Sequence, residues 1–285
     1  MASYDGPWLN SMYDNRARVP GFAAHVQRWI DESARARREQ RCELDLAYGD
    51  GASETLDVFP ALQGAKPAPV LVFIHGGYWR SMDKRDHSFI AGAFARRGVC
   101  SLVLNHALCP AVTIPDITMQ MVRALAWTWR NVERWGGDRA RITVAGHSAG
   151  GHLAAMLAAC LWDRFEPDLP EALVRNALAI SGLYDLEPLM HTPLLQGDLR
   201  LTGQQVRKAS PARLPPPARG AIYAVAGGDE SAEFLRQNRL LQQAWGPQRV
   251  PVCETLPGLN HFSVLEALAE PGHALQQRAL ELLEV

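Results

Sequence analysis

The chain has 285 residues, 47% of them hydrophobic and 21% charged, and a formal net charge of −1. That length buries a sizeable core without help from disulfides or metals, and the balanced charge carries no electrostatic footprint for nucleic acid or an anionic membrane. No run of 18 or more apolar residues predicts a membrane span, and the opening stretch MASYDGPWLN has neither the basic nor the apolar region of a secretory leader.

Residues 1–41 read as a polar, helical preface. Phe22, Val26, Trp29 and Ile30 recur at spacings suited to one helix face. The charged run from Arg35 to Arg41 fits a solvated helix end or a cap near a site. From residue 42 the pattern alternates: CELDLAY and ETLDVF predict an antiparallel pair of strands. PVLVFIHGG (69–77) is a continuous apolar run stopped by glycines, which suits a strand buried on both faces. A helix over about Asp86–Arg97 precedes the strand VCSLVLN (99–105), and residues 116–135 carry Ile117, Met121, Leu125 and Trp129 at helical spacing. RITVAG (141–146), NALAIS (176–181), AIYAVAG (221–227) and PVCETLP (251–257) predict further strands. Helices are expected after Ser148, from Glu230 to Trp245, and at the C-terminal end. Alternation of this kind implies an α/β architecture: one mostly parallel central sheet, antiparallel at its N-terminal strands, with helices on both faces. The whole of 1–285 is expected to form a single such domain. Residues 185–215, rich in proline and poor in strand signal, are either a lid or an ordinary long connection.

Five dispersed cysteines, Cys42, Cys100, Cys109, Cys160 and Cys253, form no CxxC pair. They are expected to be reduced, structural thiols of a cytoplasmic protein.

The sharpest local signal is Gly146-His147-Ser148-Ala149-Gly150, a GxSxG set between a predicted strand and a predicted helix. A serine hydroxyl is a weak nucleophile and must be presented to a base without crowding. A tight strand-to-helix turn does this, and the helix N-terminus aims backbone N–H groups at the reacting carbonyl. FIHGGYW (73–79) supplies the companion loop. The N–H groups of Gly77 and Tyr78, with that of Ala149, are the expected oxyanion hole, and His75 is expected to brace the loop. Acid and base should follow in chain order. Asp229, after AIYAVAGG, is the preferred acid over its neighbour Glu230 and over Asp185. His261, after CETLPGLN, is the preferred base over His273, which lies in a helix-like segment. His147 and His152 are read as structural. No metal-ligand cluster is visible, and the chemistry needs no cofactor.

Together HGGYWRSMDK (75–84), GHSAGGHLAA (146–155), SGLYDLEPL (181–189), GGDESAEFLRQ (227–237) and the preface segment MYDNRARVPG (12–21) make the chain resemble the kynurenine formamidases (arylformamidases), an α/β-hydrolase family. The resemblance covers most of the chain. It implies the α/β-hydrolase fold and cleavage of N-formylkynurenine to kynurenine and formate, a step of tryptophan breakdown. It also implies Ser148 as nucleophile, Asp229 as acid, His261 as base and the HGGYW backbone as oxyanion hole. The wider lipase and esterase group usually carries a third glycine where Tyr78 stands, and family members often have tyrosine where this chain has His106. If position 106 lines the pocket, substrate preference should differ. Tyr78, Trp79, Tyr184 and Phe262 are candidates to stack on an aromatic substrate, although each also suits a core. The alternative is a broad-specificity carboxylesterase on the same scaffold, and a further class is a catalytically silent binding protein. The expected partner is a small-molecule substrate, with no nucleic acid and no membrane; a homodimer is left open.

Overall fold

The computed structural model describes residues 5–63 and 67–285. The MASYDGPWLN stretch read for a leader therefore lies partly outside the described residues. One eight-stranded sheet runs through the described chain in the order β1-β2-β4-β3-β5-β6-β7-β8. Its strands are β1 (Glu43–Ala47), β2 (Thr55–Phe59), β3 (Ala68–Ile74), β4 (Cys100–Leu104), β5 (Gly137–His147), β6 (Asn176–Ile180), β7 (Ile222–Gly227) and β8 (Val252–Leu256). The β1–β2 and β2–β4 pairs are antiparallel, and every later pair is parallel. This is the α/β-hydrolase architecture. The antiparallel N-terminal strands and the parallel remainder lie where the hydrophobic pattern put them. Only β5 is longer than RITVAG suggested.

Strand β3 shows why its sequence is apolar without alternation. Val70, Val72 and Ile74 face one core cluster, whereas Leu71 and Phe73 face another. Helices α5 (Ile114–Asn131) and α6 (Ala149–Ala158) cover the first face through Ile117, Met121, Leu125 and Leu153. Helices α4 (Ser88–Ala95), α12 (Ser263–Ala269) and α13 (Ala274–Leu283) cover the second through Ile90, Phe94, Leu265 and Leu280. The C-terminal helical signal thus divides into two helices. A capping box closes the start of α5, with the Thr113 side chain and Asp116 satisfying each other's backbone N–H.

The preface forms α1 (Gly6–Tyr13), α2 (Asn15–Arg18) and α3 (Phe22–Glu39). Trp29 is buried and Phe22 and Val26 pack beside it, but Ile30 is exposed, a correction to the predicted face. Four apolar positions spread over more arc than the contact needs, so the last one faces solvent. Helix α7 (Trp162–Phe165) follows α6. The 185–215 segment leaves the sheet as α8 (Glu187–Met190), α9 (Pro193–Leu199) and α10 (Gly203–Ala209). It meets the preface directly, since the Leu194 N–H donates to Asn10 Oδ1 at 2.9 Å. Helix α11 (Ala232–Trp245) lies between β7 and β8 in the chain.

One buried ion pair ties the loop after β3 to the sheet. Lys84 Nζ donates to Asp45 at 2.6 Å and also to Asp57 on β2, and the Lys84 and Asp57 side chains are almost fully buried. Removing the cation would leave Asp57 without its counter-charge in a low-dielectric site. Lys84→Met should therefore cost about 3–5 kcal/mol of stability. Urea denaturation would show this as a clearly lowered midpoint, and an unchanged midpoint would mean the pair is incidental.

Candidate active site

Strand β5 ends at His147 and helix α6 begins at Ala149, so Ser148 is the hinge between them. It sits at φ 57°, ψ −115°, a conformation L-residues rarely adopt. The surrounding glycines explain how such a turn closes. A Cβ on Gly146 would lie 2.1 Å from the Gly150 carbonyl oxygen, and one on Gly150 would lie 2.0 Å from the Ile74 carbonyl oxygen. The Ser148 N–H donates to the Ile180 carbonyl at 2.8 Å, which pins the turn to β6.

The HGGYW loop packs against this turn. A Cβ on Gly76 would lie 2.9 Å from the His147 carbonyl oxygen and 3.1 Å from Ser148 Cβ. Gly77 has φ 102°, and Tyr78, Trp79 and Met82 also hold positive φ. The N–H groups of Gly77, Tyr78 and Ala149 make no hydrogen bond among the described residues. Gly77 and Tyr78 line one cavity with Ser148, and Ala149 follows the serine in the chain. His75 braces the loop from beneath, as read from sequence: Nδ1 lies 2.9 Å from the Gly76 carbonyl oxygen and Nε2 3.1 Å from Asn105 Oδ1, and the single N–H of the neutral ring serves one of the two. Asn105 also accepts from the Lys84 N–H and donates to Asp83, so one amide fixes both ends of the loop. Sequence reasoning passed over Asn105, which carries no motif.

The carboxylate that meets His261 is not the one expected. His261 Nδ1 bonds Glu230 Oε2 at 2.6 Å, whereas Asp229 is exposed. In the turn after β7 the Asp229 N–H is drawn to the Leu259 carbonyl, and its side chain faces out. The next residue turns inward. Glu230 Oε1 accepts from the Gly227 N–H at 2.7 Å and from the Ser181 hydroxyl at 2.5 Å. Asp185, the other rival, pairs with Arg213 instead. A carboxylate accepts only, so the His261 proton resides on Nδ1 and Nε2 is left as the basic nitrogen. Ser148 and His261 line the same cavity.

His147 does more than pack. Its Nε2 donates to the His261 backbone carbonyl at 2.8 Å, and the two rings lie 4.7 Å apart, so it holds the His261 loop in place. His152 is structural, with Nε2 on the Ala209 carbonyl and its ring edge-on to Trp79. His273 caps α13. His106 stacks on His75 at 4.5 Å, wholly buried and away from the cavity wall, so position 106 does not line the pocket.

The cavity is about 610 Å³. Gly76, Gly77, Tyr78, Ser148 and His261 form its floor. Tyr13, Asn15, Phe22 and Trp29 of the preface, with Leu194 and Asp198 of α9, form its walls. The preface is thus a cap over the site, fastened where the Tyr78 hydroxyl donates to the Tyr13 carbonyl at 2.7 Å. Of the four candidate aromatics, Tyr78 and Phe262 reach the cavity. Trp79 and Tyr184 do not: both are fully buried, Trp79 against His152 and Tyr184 in the small cluster beneath β6 and β7. Aromatic residues near a strand end serve core and pocket equally well, and only packing separates the two. All five cysteines are free. No group of three or more His, Cys, Asp or Glu side chains among the described residues is placed to hold a metal ion. No helix among them is long and apolar enough to cross a membrane.

Burial keeps five histidines neutral. His87 and His106 are each pushed down to about 3 and His152 to about 4, and His75 and His147 are also lowered; desolvation is the main cause throughout. Unfolding returns each to the ordinary histidine value near 6.5. Below that value the unfolded chain binds more protons than the folded one, so stability is present above about pH 6.5 and falls as pH drops towards the folded values. Each such histidine contributes on the order of 1 kcal/mol per pH unit in that window. The urea midpoint should therefore fall steeply between pH 7 and pH 5, and His106→Phe should flatten that slope. An unchanged slope in the variant would contradict the burial account.

A family profile described as BD-FAE matches residues 56–190, the span from β2 to α8. A kynurenine formamidase from Drosophila melanogaster is 30% identical over 236 residues, 79% of this chain and 76% of that protein. One from Salmo salar is 27% identical over 270 residues, 91% of this chain and 88% of its own length. Among solved structures, a protein from Silicibacter sp. provisionally described as a thioesterase superposes with a TM-score of 0.83 at 29% identity, covering 97% of this chain and 99% of that one. With its serine elbow, HGG loop and α/β-hydrolase sheet, this chain is a hydrolase and belongs to the kynurenine formamidase family.

Proposed function

We propose that the protein hydrolyses an aryl formamide, N-formylkynurenine, to kynurenine and formate through Ser148, His261 and Glu230. The observation that carries this reading is the strained Ser148 in the lining of a cavity that it shares with a carboxylate-bound imidazole. His261 Nε2 takes the Ser148 proton as Oγ attacks the formyl carbon, and Glu230 stabilises the imidazolium that forms. The oxyanion develops towards the N–H groups of Gly77, Tyr78 and Ala149, where each donor supplies about 3 kcal/mol of transition-state stabilisation. His261 then protonates the departing aniline nitrogen. Water, deprotonated by the same imidazole, attacks the formyl-serine ester and releases formate. A formyl group needs little room at the acyl position, and an aniline leaves more readily than an alkyl amine. Tyr78 and Phe262 offer ring faces at the cavity for the aryl group.

Ser148→Ala should lower kcat by about a million-fold with the fold retained, as in hydrolases that lose the nucleophile. Glu230→Gln should lower kcat by about 10³–10⁴, whereas Asp229→Asn should leave it close to wild type. The reverse order for the two acids would overturn the assignment of Glu230. Measuring kcat/KM on N-formylkynurenine beside p-nitrophenyl acetate tests the substrate. A strong preference for the formamide is expected, and a strong preference for the acetate ester would replace this reading with a broad carboxylesterase.

A further inference from the structure

Strands β5 and β6 end together. His147 and Ile180, the last residues of the two strands, stand in register, so Ser148 and Ser181 leave the sheet side by side. Both take a positive φ, 57° at Ser148 and 50° at Ser181. The strain at Ser148 belongs to the tight turn into α6. No such turn accounts for Ser181, and a glycine would hold the same φ without steric cost. A side chain held in a sparsely populated conformation points to a use for that side chain.

The use is visible in what the hydroxyl meets. Ser181 is wholly buried, and its hydroxyl donates to Glu230 Oε1 at 2.5 Å. The N–H of Gly227, the last residue of β7, donates to the same oxygen at 2.7 Å. Oε2 is left for His261 Nδ1 at 2.6 Å, and the Glu230 side chain is almost fully buried. Two donors fill the lone pairs of Oε1, so the carboxylate cannot swing away from the imidazole without breaking both bonds. A glutamate needs such a clamp, because its carboxylate stands at the end of three rotatable bonds. Each donor also offsets the penalty of burying an anion. The backbone completes the arrangement. The Ile180 carbonyl accepts the Ser148 N–H at 2.8 Å, and the Ser181 N–H donates to the Val225 carbonyl at 2.7 Å. The end of β6 thus holds the serine turn with one residue and the carboxylate with the next.

We propose that Ser181 is a positioning residue whose hydroxyl locks the Glu230 carboxylate in the orientation that presents Oε2 to His261. The inference rests on the triad of the proposed function and deepens it by naming what holds its acid. Ser181 is not part of the cavity lining, so it acts on kcat through Glu230 and not on substrate binding.

The test is a double-mutant cycle on kcat for N-formylkynurenine. Ser181→Ala removes the hydroxyl and keeps the Cβ. Ser181→Gly removes the hydroxyl and relaxes the backbone, so a loss common to both belongs to the hydroxyl. Each should lower kcat by about 10–100-fold, the worth of a hydrogen bond to a charged group, with KM little changed. In the Glu230→Gln background Ser181→Ala should cost little more, because the charge it aligns is already gone. The low-field proton resonance of His261 Nδ1–H should shift or broaden in both single variants. A near-wild-type kcat in Ser181→Gly, an unmoved resonance, or an undiminished further loss on top of Glu230→Gln overturns the inference while the triad stands. A Glu230→Gln variant as active as the wild type overturns the triad and the inference with it. If the wild type cleaves only p-nitrophenyl acetate, the formamidase reading falls, and the same cycle run on that ester decides the role of Ser181 by the same outcomes.

Discussion

The crossing of α6 over the ends of β3 and β5 is the contact on which the site depends. The Gly146 and Gly150 backbones approach so closely that neither position has room for a Cβ, and Gly76 comes almost as close to Ser148. That approach leaves no relaxed conformation for the residue between strand and helix, and Ser148 takes up the strain at φ 57°. The same approach brings the HGGYW loop beside the start of α6, so the candidate nucleophile and candidate oxyanion donors are set by one packing event. The buried Lys84–Asp57 pair and the Asn105 amide then hold the far end of the loop. A strained turn persists only where its surroundings over-determine it, and here backbone contacts, an ion pair and a side-chain amide all do so.

Around this rigid floor the protein assembles a wall from two segments that do not belong to the sheet. The preface and α9 touch each other through Asn10 and Leu194, and both reach the cavity. Tyr13 links this wall to the catalytic side of the molecule. Its hydroxyl donates to Glu233 at 2.7 Å on α11, three residues beyond Glu230, and its carbonyl receives the Tyr78 hydroxyl. Cap, candidate oxyanion loop and the helix that follows Glu230 are therefore joined by one tyrosine. The neutral buried histidines add shape without charge.

The sequence made the fold legible because both-face burial, period-2 alternation and helical spacing are local patterns, and β3, β2 and α5 each express one of them. The elbow was legible for the same reason, since its steric demand falls on neighbours in the chain. The acid was not. Asp229 and Glu230 are adjacent acidic residues after a buried strand, and the choice between them is one residue of rotation in a turn whose direction is set by the distant Leu259 carbonyl. Trp79 and Tyr184 show a related limit: an aromatic residue beside a glycine turn carries the same local pattern whether it meets substrate or core. The cap was half legible. Its amphipathic helix was plain, but its closeness to Ser148 is a long-range contact that no spacing encodes. His147 was read as structural, and its bond to the His261 backbone is such a role, although the partner was invisible without the coordinates.

Covalent labelling tests the central claim most directly, namely that Ser148 is the nucleophile activated by a Glu230-held imidazole. A fluorophosphonate reacts only with a serine whose hydroxyl is activated, and peptide mapping by mass spectrometry locates the adduct. The account predicts one adduct per chain, on Ser148, with labelling greatly slowed in Glu230→Gln. No adduct on the folded protein, or an adduct on any other residue, would contradict it.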